Sequence, residues 1–213
     1  KNLFETKNVR RMYIEGSLFS NHWDAERSQF NAITYKSVAD QPNSGQGSPW
    51  SVSEEIVLEN SRLSHVNGGV SAAREFYRSG VQYDPLKPQH IRIHNTLIDD
   101  IAIGRWGENR GWAFFLAGVD DFLVKHVTVV DSIDSVDEGR EMLLQISSVS
   151  SYRTELTDSI LPLNTYGISN SCGEGSNALF VSTSGWFDAN GNSCGATSAN
   201  GGVWRLTGNI LPK

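Results

Sequence analysis

The chain has 213 residues, enough for one domain with a sizeable core, with 38% hydrophobic residues and no apolar run near the ~20 needed to span a bilayer as a helix. Its formal charge of −6 and pI near 5.3 argue against nucleic-acid or anionic-membrane partners, which need a basic face. The same charge disfavours a polyanionic sugar, unless a local basic cluster or bound Ca²⁺ overcomes it.

In chain order, the first element is Met12, Ile14, Gly16, Phe19: apolar at the first and third positions, turn-prone at the fifth, apolar at the eighth. The order recurs as Ile56, Leu58, Asn60, Leu63; as Ile91, Ile93, Asn95, Ile98; and as Phe122, Val124, His126, Val129. It returns as Thr154, Leu156, Asp158, Leu161 and as Trp204, Leu206, Gly208, Leu211, with first-position spacings of 44, 35, 31, 32 and 50 residues. A period of two followed by a residue tolerant of left-handed φ predicts a strand, a sharp bend and the next strand. Such units bury a core only by stacking, so each copy is expected to be one coil of a solenoid.

Between the copies lies a second set of short runs bounded by Gly, Asn or Ser: residues 31–37, 69–75, 111–117, 141–147 and 177–182. Each is expected to supply one further strand per coil. Residues 40–49 and 83–89 are loops by composition, and 169–202 is a Gly/Asn/Ser-rich stretch that explains the longest interval. No amphipathic helix is expected beyond a turn or two near 72–79. The whole reads as an all-β, single-domain solenoid of five to six coils over residues 1–213. It is expected to be a fragment of a longer helix, because an unpaired end would be an aggregation hazard.

Cys172 and Cys194 lack zinc-site spacing. In an oxidising compartment a bridge between them would close a loop of about 20 residues, worth about 3 kcal/mol; in a reducing one they stay thiols.

Residues 2–23, followed by Pro49-Trp-Ser-Val-Ser-Glu-Glu-Ile-Val-Leu-Glu-Asn60 and Ser64-His-Val-Asn-Gly-Gly69, resemble bacterial right-handed parallel β-helix proteins of the pectate-lyase-like superfamily. The likeness is strongest over residues 1–130. It implies a right-handed parallel β-helix and a secreted, periplasmic or cell-surface parent that binds, cleaves or isomerises a polysaccharide or oligosaccharide. Fold alone does not choose among those activities.

With coils ~4.8 Å apart, equal template positions form columns. The fifth-position column, centred on Asn60 and Asn95, is expected to be a structural hydrogen-bonded ladder, with His126 a turn residue within it. The column Asn21, His65, Asp100, Asp131 would place two carboxylates about 5 Å apart, a spacing that suits a retaining glycosidase. Its plainer reading is a row of exposed turn residues.

The rival site lies on the second strand set, where Thr34, Lys36 and Ser71 are expected to point outward near Arg74, Glu75 and Gln145. Such a row would line an oligosaccharide groove, with Lys36 or Arg74 as the base for β-elimination. Trp23, Trp106 and Trp112 are candidate stacking platforms, and Arg105 with Trp106 a sugar-contacting pair; simple packing on the outer face is the alternative. Asp120 and Asp121 are either a Ca²⁺ pair or, preferably, a turn. Nothing matches a Ser/His/Asp signature, a phosphate loop or a zinc motif. Candidate catalysts are therefore Lys36, Arg74, Asp100 and Asp131, and candidate substrate contacts Thr34, Ser71, Glu75, Arg105, Trp106 and Gln145. No cofactor is required by the pattern, and Ca²⁺ is the one metal considered. The competing class is a noncatalytic carbohydrate-binding or structural solenoid.

Overall fold

Along each template copy the side chains at the first and third positions alternate with outward ones, most of them polar, and stacking the copies turns those two positions toward one interior. A computed structural model describes residues 2–23, 31–38, 50–75, 85–102, 104–107, 111–131, 142–146, 151–162, 168–169, 180–182, 185–187 and 204–210. Among these residues the first and third template positions run in register through one parallel sheet. Ile14 lies beside Leu58, Leu58 beside Ile93, Ile93 beside Val124, and Val124 beside Leu156. Leu58, Ile93, Val124 and Leu156 have no solvent exposure.

Three parallel sheets form the walls. The first holds β1 (Phe4–Lys7), β4 (Ile33–Val38), β7 (Val70–Glu75), β10 (Trp112–Ala117), β13 (Met142–Ile146) and β15 (Ile168–Ser169), stacked in that order. The second, made of the template strands, stacks β2 (Arg10–Glu15), β5 (Glu54–Glu59), β8 (Gln89–His94), β11 (Asp120–Lys125), β14 (Tyr152–Thr157) and β18 (Trp204–Thr207). The third stacks β3 (Leu18–His22), β6 (Arg62–Val66), β9 (Leu97–Ile101) and β12 (Thr128–Asp131), and bridges at Ile160 and Ile210 continue it. The chain is an all-β parallel solenoid.

The corner between the second and third sheets falls on the fifth template position. Gly16, Asn60, Asn95, His126, Asp158 and Gly208 all adopt positive φ, between 45° and 68°. The ladder expected there is carried by the backbone: Asn60 N–H donates to the His94 carbonyl, Asn95 N–H to that of Lys125, and His126 N–H to that of Thr157. The Asn60 side chain reaches Glu15 instead of its asparagine neighbour. One residue later a hydroxyl ladder continues the contact. Ser61 Oγ accepts from Ser17 N–H at 3.1 Å, and Ser159 Oγ accepts from Val127 N–H at 3.0 Å.

Two expectations are corrected. Of the run 177–182, the described part is not a wall strand: β16 (Phe180–Ser182) pairs antiparallel with β17 (Gly185–Phe187), and among the described residues the sixth strand of the first sheet is β15. Residues 72–75 belong to β7, because Ala72 faces the core and ladder bonds take up the backbone that a helical turn would have used. Residues 76–79, Leu211 and both cysteines lie outside the described residues.

Candidate functional site

On the first sheet, Glu5, Thr34, Ser71, Phe115, Gln145 and Ser169 form one column, so Thr34, Ser71 and Gln145 share the expected position. Thr34 and Ser71 are nevertheless only 5% and 3% exposed, and their hydroxyls bond each other at 2.8 Å. Lys36 is next to Lys7 and Ala73, with its ammonium 3.6 Å from a Glu5 carboxylate oxygen. Arg74 stands one step further, opposite wholly buried Ser37, and its Nε donates to the Pro85 carbonyl at 2.7 Å. Successive strand positions point to opposite faces, so the register does not bring Lys36 and Arg74 into one groove. Glu75 stands opposite Val38, at the end of the strand.

The third sheet gathers more of the expected residues. Asn21, His65 and Asp100 each take positive φ near the end of their strands, which makes a stacked bulge in three coils. Asp131 drops out of the column. The register shifts between Val130 and Asp131, placing Asp131 opposite Ile101, because β12 lacks the extra bulge residue that an equal template offset assumes.

Around that bulge, Arg62 Nε and Nη2 donate to both Asp99 oxygens, at 3.0 and 2.7 Å. This hydrogen bonding holds the Asp99 carboxyl below the usual carboxylate range, against the opposing pull of partial burial. Asp100 lies 3.5 Å from His65 Nε2 and 3.3 Å from Arg105 Nη1. The Trp106 ring tilts against His65, with centroids 5.0 Å apart.

A tight turn delivers Arg105 and Trp106. Gly104 has φ of 81° and its N–H donates to the Gly107 carbonyl, while Trp106 N–H donates to that of Ala102. Gly107 sits so close to the Asn67 side chain that a Cβ would lie 2.5 Å from it, so the turn rests on the preceding coil. Trp106 Nε1 is buried and finds no acceptor among the described residues. Trp23, 53% exposed, follows β3 at the position that Asn67 and Ala102 hold in the next two coils. Trp112 is buried and stacks on Phe115 at 5.2 Å, the packing alternative.

On the second sheet the outward residues form inter-coil ion pairs. Arg10 meets Glu54, Arg11 meets Glu55, and Arg153 meets Asp120. Asp121 accepts from Arg92 and contacts His90 Nδ1, both at 2.6 Å. Asp120 and Asp121 are thus in β11 and engaged by cations; Asp121 takes φ of 61° within the strand. Among the described residues no cluster of three or more His, Cys, Asp or Glu is arranged to hold a metal.

Partial burial pushes the Asp121 carboxyl up, but hydrogen bonds from Arg92 and His90 outweigh it and the net shift is downward. A depressed carboxylate stabilises the fold above its unfolded value and ceases to do so as pH falls through the folded one. Stability is therefore expected to fall below about pH 4, and Asp121→Asn to flatten that acid limb. Urea midpoints measured from pH 7 to pH 3 check this; parallel curves for the two proteins count against it.

Arg62 and Asp99 were not singled out from sequence. The available signal was opposite charge at outward positions of successive copies, which the template, built on inward residues, does not score. Comparisons of the chain with protein-family models, curated proteins and solved structures give no match.

Proposed function

We propose that the chain is a carbohydrate-engaging solenoid, exported and akin to the pectate-lyase-like β-helix proteins, that holds a glycan against the third sheet. The observation that carries this reading is the Trp106 indole beside His65, bordered by the Asp100–Arg105 and Arg62–Asp99 pairs. An aromatic face accepts the apolar side of a sugar ring, while fixed carboxylate and guanidinium groups bind its hydroxyls. Exposed Trp23, two coils away at the position that Ala102 holds, offers a separate stacking surface on the same side of the third sheet's end.

The two ion pairs leave little net charge at this surface, which favours a neutral stretch of glycan. Binding is preferred over lyase or hydrolase action because Lys36 and Arg74 fall on opposite faces, and Asp131 is out of register with Asp100. Noncatalytic engagement needs neither pair.

Calorimetry or affinity electrophoresis across neutral and uronate glycans tests the proposal. Trp106→Ala is expected to weaken binding by about 2 kcal/mol, roughly 30-fold, the scale of an aromatic anchor. Exposed Trp50 serves as the control and its alanine variant should bind normally. Release of unsaturated or reducing products would restore the enzymatic reading, and a wild-type chain that binds no glycan would sink both.

A further inference from the structure

The first coil has the build of the others but is covered on one side. Among the described residues β1, β2 and β3 are each outermost in their sheets. Their inward side chains Phe4, Met12, Ile14 and Phe19 are only partly buried, whereas the residues they stack on, Ile33, Ile56, Leu58 and Leu63, have no exposure. The Phe4 and Phe19 rings meet edge to face at 6.0 Å, joining the first and third sheets across this end. Gly16 N–H donates to the Glu59 carbonyl of the second coil. Backbone polar groups alternate along a strand, so those of Met12 and Ile14 also face the second coil. Those of Tyr13 point away from the stack, with no ladder partner among the described residues.

We propose that this end is a self-association surface, on which a second copy of the chain lays its own β2 antiparallel to β2 about a two-fold axis through Tyr13. The strand is complementary to itself in that arrangement: it is basic where it starts, at Arg10 and Arg11, and acidic where it ends, at Glu15. With Tyr13 opposite its own equivalent, Met12 falls opposite Ile14 of the second copy and Arg11 opposite Glu15, each contact occurring twice. The outward backbone groups of the two Tyr13 residues exchange both their bonds, and the half-buried aliphatics become the middle of one interior. Arg11 and Glu15 are exposed, and a guanidinium or carboxylate can take a second partner while keeping the contacts to Glu55 and Asn60 that they make in the second coil. The same axis exchanges the first and third sheets, so the Phe4–Phe19 pair of one copy faces its equivalent in the other. A head-to-tail stack in the template register would instead put Thr207 beside Glu15 and leave that carboxylate unmatched. The surface shares no residue with the Trp106 site and stands whether or not that site binds glycan.

Sedimentation velocity of the full chain at rising concentration tests this, with hydrogen exchange read at the Tyr13 and Glu15 amides. A species of twice the 23.5 kDa chain mass is expected, with protection of those two amides that grows with concentration. Tyr13→Pro removes an N–H that no described ladder uses, a change tolerated on an edge strand. It should raise the dimer dissociation constant about tenfold or more and leave the circular dichroism of the fold unchanged. Arg11→Glu and Glu15→Arg should each weaken self-association about tenfold, because each sets like charges face to face at both ends of the joint. Mixed together, these two variants should form a one-to-one heterodimer, since every such contact is then between opposite signs. That preference decides the matter even if the proline variant does not fold. A chain that stays monomeric throughout the concentration range overturns the proposal, as does assembly that continues past two copies, which marks head-to-tail stacking. Charge variants that self-associate as well as the wild type and show no preference for each other place the contact elsewhere and overturn it too.

Discussion

Gly69→Ala is expected to be among the most damaging single-methyl additions in this chain. Gly69 begins the third coil, where its N–H donates to the Trp112 carbonyl at 2.8 Å and its carbonyl accepts from Ile33 N–H at 3.1 Å. A Cβ placed there would come within 2.3 Å of the Ala113 carbonyl oxygen and 3.2 Å of its carbon. Those atoms belong to the backbone of the next coil and cannot rotate away as a side chain would. The variant must either separate two coils or break the bond to Trp112. Overpacking of this kind costs about 3 kcal/mol or more, two orders of magnitude in the folded-to-unfolded ratio. Gly16 supplies the contrast: it has φ of 60° but open space around it, so Gly16→Ala should cost only the left-handed penalty of about 1 kcal/mol. Urea unfolding of both variants checks the order. A Gly69→Ala chain as stable as Gly16→Ala would mean that the coils are not this close.

Ile93→Ala is the second large effect. Ile93 has no solvent exposure and lies between Leu58 and Val124 in the middle of the aliphatic column. Truncation leaves a cavity that neighbours on both sides can fill only by shifting their own ladders, so a cost of about 3–4 kcal/mol is expected. Leu123→Ala, at a half-exposed outward position on the adjoining strand, should cost about 1 kcal/mol or less. If the two variants unfold at the same urea concentration, the inside-outside assignment of the template strands is wrong.

The template strands were legible in the sequence because inward aliphatics and left-handed corners leave marks in residue type. Ile, Leu and Val repeat at the first and third positions, and four of the six fifth-position residues are Gly or Asn. The first sheet was legible as short runs, but its beginning at Phe4–Lys7 was missed: four residues show too little alternation to stand out. Equal template offsets mark Asn21, His65 and Asp100 as a column but also point to Asp131, since the loss of a single residue in β12 leaves no mark in composition. The indole of Trp106 stands out by its chemistry, but its contact with His65 follows from the Gly104–Gly107 turn folding back over the coil before it.

At the entrance to the second sheet, Arg11, Glu55, His90, Asp121 and Arg153 all adopt φ between 47° and 61°, although each carries a full side chain. For an L-residue that conformation costs roughly 1–2 kcal/mol, and glycine would be free of it, less about 0.5–1 kcal/mol for the added freedom of the unfolded chain. The fold therefore holds stability in reserve along this rail. Arg11, whose ion pair with Glu55 is solvent-exposed, is the place where a small substitution could release it with little lost in return. An engineer seeking to harden the scaffold would begin there and leave the interior alone.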